Sequence, residues 1–173
     1  MANVRPPRLP DVTMEGVQIR VRNFAGRKDQ YNLSGKRTFL VLLNDDVAQA
    51  MAADGWNVKY LQPKEEGDTP QAFLKVTVNM VNEPKPRVVL VTANGKTRLD
   101  ESTVDILDHV VLSNVDLIIN PYYYDFNGQQ GYSAYLKTGF FTMEEDDLEK
   151  KYADIADTEE NRMVLEAFDK DDV

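Results

Sequence analysis

A period of two dominates the hydrophobic and polar positions as far as Phe141, and that pattern predicts strands. In "GVQIRVRNF", Val17, Ile19 and Val21 take one face and Gln18, Arg20 and Arg22 the other, giving a strand with a wet, basic side. "TFLVLLNDD" is a short apolar run suited to a strand buried on both sides. After it, Asp45 or Asp46 is expected to cap a short helix, "VAQAMAADG", that stops at Gly55. "WNVKYLQP" alternates again, and Trp56, following the helix-ending glycine, is expected in the core. "QAFLKVTVNMV" sets Leu74, Val76, Val78 and Met80 against Phe73, Lys75, Thr77 and Asn79. "RVVLVTANGKTRL" reads as a hairpin around Asn94-Gly95. "DESTVDILDHV" is open between a short helix and an irregular crossing, and "VVLSNVDLII" resumes strand character.

The last hairpin crosses "NGQQG" and carries eight of the sixteen aromatic residues, all between Tyr122 and Phe141. Alternation puts Tyr132, Ala134, Leu136 and Thr138 on one face and Tyr135 and Lys137 on the other. Tyr135 with Lys137 is the wet pair, because a charged side chain is not buried without a partner. Which of Tyr122, Tyr123 and Tyr124 face solvent depends on a register that the sequence leaves open. Many short strands, frequent turns and one or two short helices predict a mainly β fold. The version preferred is a partly open antiparallel Greek-key barrel of the oligonucleotide-binding (OB) type.

Composition sharpens the picture where it is uneven. The net charge of −9 argues at first against nucleic acid, but residues 144–173 hold thirteen acidic and four basic side chains and account for all of it. Residues 1–143 carry sixteen of each sign, and the first forty hold eight basic against three acidic. A neutral body with a basic front and an acidic end is therefore expected. The proline-rich opening, residues 1–14, reads as a flexible arm; residues 15–143 form the barrel; residues 144–173 form an acidic tail, helical at first and then disordered.

Aromatic rings interleaved with cations suit a surface that stacks bases and neutralises phosphates. The candidate residues are Arg20, Arg22, Lys28, Tyr31, Lys36, Arg37, Lys59, Tyr60, Lys96, Arg98, Tyr122, Tyr124, Tyr135 and Lys137. In the tail, Val164, Leu165 and Phe168 could be offered to partner proteins, and the anionic segment could occupy the basic groove in cis. The plainer reading of the tyrosines is that they fill strands and barrel ends.

Cysteine is absent, which removes thiol and disulfide chemistry and agrees with a reducing cytoplasm. No apolar run approaches the length of a membrane span, and no signal segment opens the chain. The single histidine, His109, has Asp108 beside it but no matching nucleophile, and reads as structural. "ANGKT" lacks the glycine spacing of a phosphate loop. A metal-dependent nuclease could draw on Glu149-Lys150-Lys151 with Asp116 or Asp125, but Glu149 lies in a polar tail rather than on a buried strand. No cofactor, no metal and no enzymatic activity are expected. A small barrel that binds protein through its aromatic face is the other alternative.

The segments "NFAGRKDQYN", "DGWNVKYLQPKEEGD", "RVVLVTANGKT" and "NVDLIINPYYYDFNGQQGYSAYLKTGFFTMEEDDLEKKYAD" resemble single-stranded DNA-binding proteins of tailed bacteriophages. The resemblance spans roughly residues 15–155. It implies an OB-fold protein that coats single strands during DNA replication or recombination, in the host-cell cytoplasm, without chemistry of its own. It also implies an acidic tail that recruits replication proteins, and a homodimer is compatible with it. Here the chain departs from such tails by closing on "DKDDV", with Phe168 five residues before the end.

Overall fold

The computed structural model describes residues 8–63 and 65–145. In chain order the strands are β1 (Val12–Met14), β2 (Ile19–Asn23), β3 (Arg37–Leu43), β4 (Val58–Leu61), β5 (Gln71–Val78), β6 (Arg87–Thr92), β7 (Gly95–Leu99), β8 (Leu112–Phe126) and β9 (Gln129–Met143). One helix, α1 (Asp45–Ala53), follows β3, and a 3-10 turn (Val104–Asp108) precedes β8. Val12–Met14, expected in the flexible arm, instead pair with Leu117–Ile119 of β8, so the sheet begins before residue 15. The tail residues Val164, Leu165 and Phe168 lie outside the described residues.

The helix is capped by Asn44, not by either aspartate: the Asn44 side-chain oxygen accepts from the Val47 N–H at 2.8 Å. Asp45 and Asp46 sit inside the first turn, where their charge complements the helix dipole. The chain leaves the helix through Gly55, whose φ of +99° only glycine adopts without strain.

Among the described residues all nine strands belong to one sheet, in the order β1-β8-β9-β5-β3-β2, with β4 beside β5 and β6 between β7 and β9. The expected antiparallel arrangement is corrected at β9, which runs parallel to both β5 and β6. One edge of β9 is filled by β8; the other is shared, β5 pairing at Ala134 and Tyr135 and β6 from Thr138 to Thr142. Between Thr77 and Arg87 the chain loops outward while β9 advances only from Tyr135 to Thr138, so that loop stands beside β9 as a wall. The register of β8 against β9 slips at this place, Ile118 facing Thr138 and Ile119 facing Leu136. Lys137 is the extra residue of the resulting β-bulge. The bulge also corrects the expected facing: Thr138 leaves the core face, and Gly139 and Phe141 take it.

No continuous ladder closes the sheet among the described residues. One backbone bond crosses the gap to β8, from Val17 N–H to Val115 O (3.0 Å), while the bond from Leu42 N–H to Gln18 O (2.9 Å) extends the β2–β3 pairing by a residue. The β8–β9 hairpin turns on Asn127 and Gly128, both with positive φ, as a two-residue hairpin turn demands. Beyond Ile119, β8 has β9 on one side and no strand on the other among the described residues, and Pro121 sits in that stretch.

The core is a single cluster centred on Phe24, Phe39 and Phe141, all fully buried, with ring centroids 5.1–6.2 Å apart. The 3-10 turn contributes Val104 and Leu107 to it. Asp108 fixes the turn by accepting from the Phe24 and Ala25 N–H groups at 2.7 and 3.0 Å, and His109 beside it is exposed.

Candidate nucleic-acid interface

Direct strand partners project to the same side of a sheet, so the register sorts the outward side chains. Asn23, Thr38, Thr77, Tyr135 and Asn120 form one row across β2, β3, β5, β9 and β8. Arg20, Leu40 and Lys75 form the next. Ser133 faces Tyr122 and Gly131 faces Tyr124, which puts Tyr122, Tyr124 and Phe126 on the same outer face as Tyr135.

Tyr122 and Tyr135 meet there with ring centroids 5.3 Å apart and planes tilted by 52°. They line a cleft of about 660 Å³ whose other wall is the Asn79–Arg87 loop, with Lys85, Arg87, Asn120 and Lys137 around the rings. On its far side Tyr135 borders a second depression, lined by Lys36, Arg37 and Asn82. The two depressions meet at Tyr135 and form a groove with cations at both ends.

Further along β9, Phe140 lies on the same outer face, with the Arg87 guanidinium 5.6 Å and the Lys96 ammonium 5.7 Å from its ring centroid. Arg98 joins this patch as the neighbour of Val89, itself paired with Phe140. Cations held over an aromatic face gain attraction from the ring quadrupole, and they remain available to anions in front of them.

The inward tyrosines are Tyr132, buried against Trp56, and Tyr123, packed edge-on to Tyr132 at 5.5 Å. Burial raises the Tyr123 phenol above its ordinary pKa, with smaller contributions from Asp125 and Tyr132. Tyr124 lies over Gly131, where an added Cβ would come within 2.6 Å of the phenol oxygen. It is therefore folded down on the strand, less available than Tyr122, which is 59% exposed.

The predicted cations divide into exposed and committed ones, and Lys137 is both, being paired with Asp11 at 2.7 Å. Arg20, Lys28, Lys36, Lys59, Lys96, Arg98 and Lys137 are exposed. Arg22 points away from the groove: its Nη1 donates to the Leu107 and Val110 carbonyls at 2.9 and 2.6 Å, holding the end of the 3-10 turn. Arg37 donates to the Phe24 carbonyl at 2.6 Å and approaches Glu101 at 4.0 Å. Lys59 shares its face with Phe73, whereas Tyr60 takes the opposite side with Ala72. Tyr31 is 89% exposed at the tip of the β2–β3 loop, which is cross-braced by Asn32 bonding to the Arg27 and Lys36 carbonyls and to the Lys36 N–H.

Lys75, Lys85, Arg87 and Phe140 were not singled out in the sequence. The outward parity of Lys75 was readable there, but Lys85 and Arg87 sit in the proline loop "NEPKPR", whose position over β9 follows from the parallel pairing alone. Asp116 and Asp125, weighed as metal ligands, are engaged otherwise. Asp116 accepts from Gly16 N–H and the Asn114 amide, and Asp125 from Gln130. Among the described residues no group of His, Asp or Glu is disposed to hold a metal ion. None of their helices is long and apolar enough to cross a membrane.

Comparison with curated proteins finds no match. Among solved structures, the single-stranded DNA-binding protein from bacteriophage Enc34 in complex with ssDNA aligns with a TM-score of 0.51 at 8% identity, over 79% of this chain and 88% of that one. A second structure of the single-stranded DNA-binding protein from bacteriophage Enc34 aligns at 0.49 and 9% identity, over 79% and 82%. The bacteriophage T7 single-stranded DNA-binding protein gp2.5 aligns at 0.39 and 11%, over 79% and 88%. The first of these shows the shared OB-like fold. A family model described as a putative phage ssDNA-binding domain matches residues 1–173, and the chain belongs to that family.

Proposed function

We propose that the protein binds single-stranded DNA without sequence preference and protects it during phage DNA replication or recombination, in the host cytoplasm. The observation that carries this reading is the Tyr122–Tyr135 pair, set at the junction of two depressions with cations at either end. Bases of a single strand expose their faces, and each stack on an aromatic ring contributes about 1–3 kcal/mol whatever the base. Lys36, Lys85, Arg87 and Lys137 are placed to neutralise the backbone on either side of the stacked bases. Lys96 and Arg98 extend the track past Phe140, and Arg20, Lys75 and Lys59 flank it across the sheet.

Tyr31 and Lys28, on the braced loop, reach the strand from the Lys36 end. The protein acts by binding alone, with no reaction of its own. The acidic tail competes for the groove in cis and presents Val164, Leu165 and Phe168 to replication proteins.

Fluorescence anisotropy of a labelled oligo-dT tests the reading, with full-length protein and a truncation after Glu145, over a salt series and with duplex competitor. Strong single-strand preference is expected, with log affinity falling by about 0.7 per phosphate neutralised for each decade of salt. The truncation is expected to bind more tightly at low salt. No binding by either form at low salt would turn the aromatic face into a protein-docking surface.

A further inference from the structure

The residue immediately before β1 lies at the tyrosine cleft. One oxygen of Asp11 accepts from Lys137 Nζ at 2.7 Å and the other accepts from Asn120 Nδ2 at 3.0 Å. Both donors line the cleft with Tyr122 and Tyr135, and Asn120 is the direct cross-strand partner of Tyr135. Lys137 is there because it is the bulged residue of β9, taken out of the regular alternation and re-aimed. Asp11 thus presents one negative charge spread over two oxygens, each held by one donor. A backbone phosphodiester presents the same charge on two non-bridging oxygens.

We propose that Lys137 and Asn120 form a phosphodiester subsite beside the stacking tyrosines, and that Asp11 masks it in the unbound protein. The proposal rests on the single-strand-binding reading above and deepens it. In the free protein the carboxylate neutralises Lys137 and holds both donors in the posture a phosphate requires, so no rearrangement of the floor is needed when DNA arrives. Leu9 and Val12, on either side of Asp11, pack against the core, so the mask opens by rotation of the Asp11 side chain, which is 29% exposed, with the backbone left in place. The Lys137 side chain is 57% exposed, which leaves room for the incoming phosphate to compete.

The test is Asp11→Asn in the full chain, measured by anisotropy with a fluorescein-labelled dT 15-mer at low salt, alone and combined with Lys137→Ala. The amide keeps an acceptor for Asn120 and removes the charge. Release of one exposed ion pair predicts affinity about two- to fivefold tighter in Asp11→Asn. The gain should shrink as salt rises and vanish in the Lys137→Ala background. Asp11→Ser, which removes both acceptor oxygens, should tighten binding by a similar factor. Unchanged or weaker binding by Asp11→Asn and Asp11→Ser, with wild type binding normally, overturns the mask and leaves the single-strand reading intact. An equal gain in the Lys137→Ala background also overturns it, because the effect would then be one of overall charge. Absence of binding by wild type removes the single-strand reading, and the mask falls with it.

Discussion

Replacing Arg22 by alanine separates structural cations from ligand-binding ones on the same strand. Its Nη1 donates to two carbonyls at the end of the 3-10 turn, at 2.9 and 2.6 Å. A hydrogen bond from a charged donor contributes about 1.5–3 kcal/mol. Both bonds come from one nitrogen, and water can reach the carbonyls once the side chain is gone, so the sum is discounted to about 2–4 kcal/mol. With a urea m-value of roughly 2 kcal/mol/M, the midpoint should fall by about 1–2 M. The single tryptophan, Trp56, is buried against Tyr132 and reports the transition by fluorescence. In the absence of urea the variant should stay folded and bind oligo-dT within about twofold of wild type. Arg20→Ala should do the reverse: an unchanged midpoint, weaker binding, and a salt slope reduced by about 0.7. A tenfold affinity loss in Arg22→Ala with an unshifted midpoint would refute the assignment of that side chain to the 3-10 turn.

Tyr135→Ala should weaken oligonucleotide binding by about 1–3 kcal/mol with little loss of fold by circular dichroism. Tyr132→Ala, by contrast, removes a buried ring and should destabilise the protein by about 3–5 kcal/mol. Gly139→Ala would put a Cβ 2.5 Å from Phe141 Cε2 and 3.4 Å from Leu117 Cδ2, and Phe141 is fixed by Phe24 and Phe39. A loss of about 1–3 kcal/mol in urea denaturation is expected, and wild-type stability would contradict that packing. The Asp100 carboxylate accepts from Ser102 and Thr103 side chains and N–H groups, with the Ser102 hydroxyl the largest cause of its lowered pKa. Its stabilising contribution is complete above the ordinary aspartate value and is lost as pH falls through the lowered one. Carbon-detected NMR should show that low midpoint, and Ser102→Ala should raise it.

Alternation alone was enough to sort the buried side of β5, where Leu74, Val76 and Val78 are in the core. It failed on β9 at Lys137, because a bulge leaves no mark in the pattern of apolar positions: "LKTGFF" reads equally well in either facing. The tyrosine run could not be sorted until the Asn127–Gly128 turn set the register, which sends Tyr122 and Tyr124 outward and Tyr123 inward. Arg22 and Arg37 looked like parts of a basic face because their carbonyl partners lie far off in sequence or in the backbone, where residue types say nothing. The helix cap, expected at Asp45 or Asp46, falls at Asn44 for a local reason: all three residues are competent caps, and the backbone decides among them. The parallel pairings that raise the proline loop over the groove join residues too distant for any local pattern to reveal.

The outer part of β8, past Ile119, has consequences for many copies at once. A protein that binds a strand without sequence preference sits beside others of its kind at high local concentration. There, an unpaired strand edge is a template for sheet growth from copy to copy. This edge carries Pro121, which lacks a backbone donor, and the charged Asp125, while Phe126 at its end is exposed. The proline and the charge interrupt the edge at two points along seven residues. Exchanging both for β-formers would turn a row of separate DNA-bound copies into a seed for fibres.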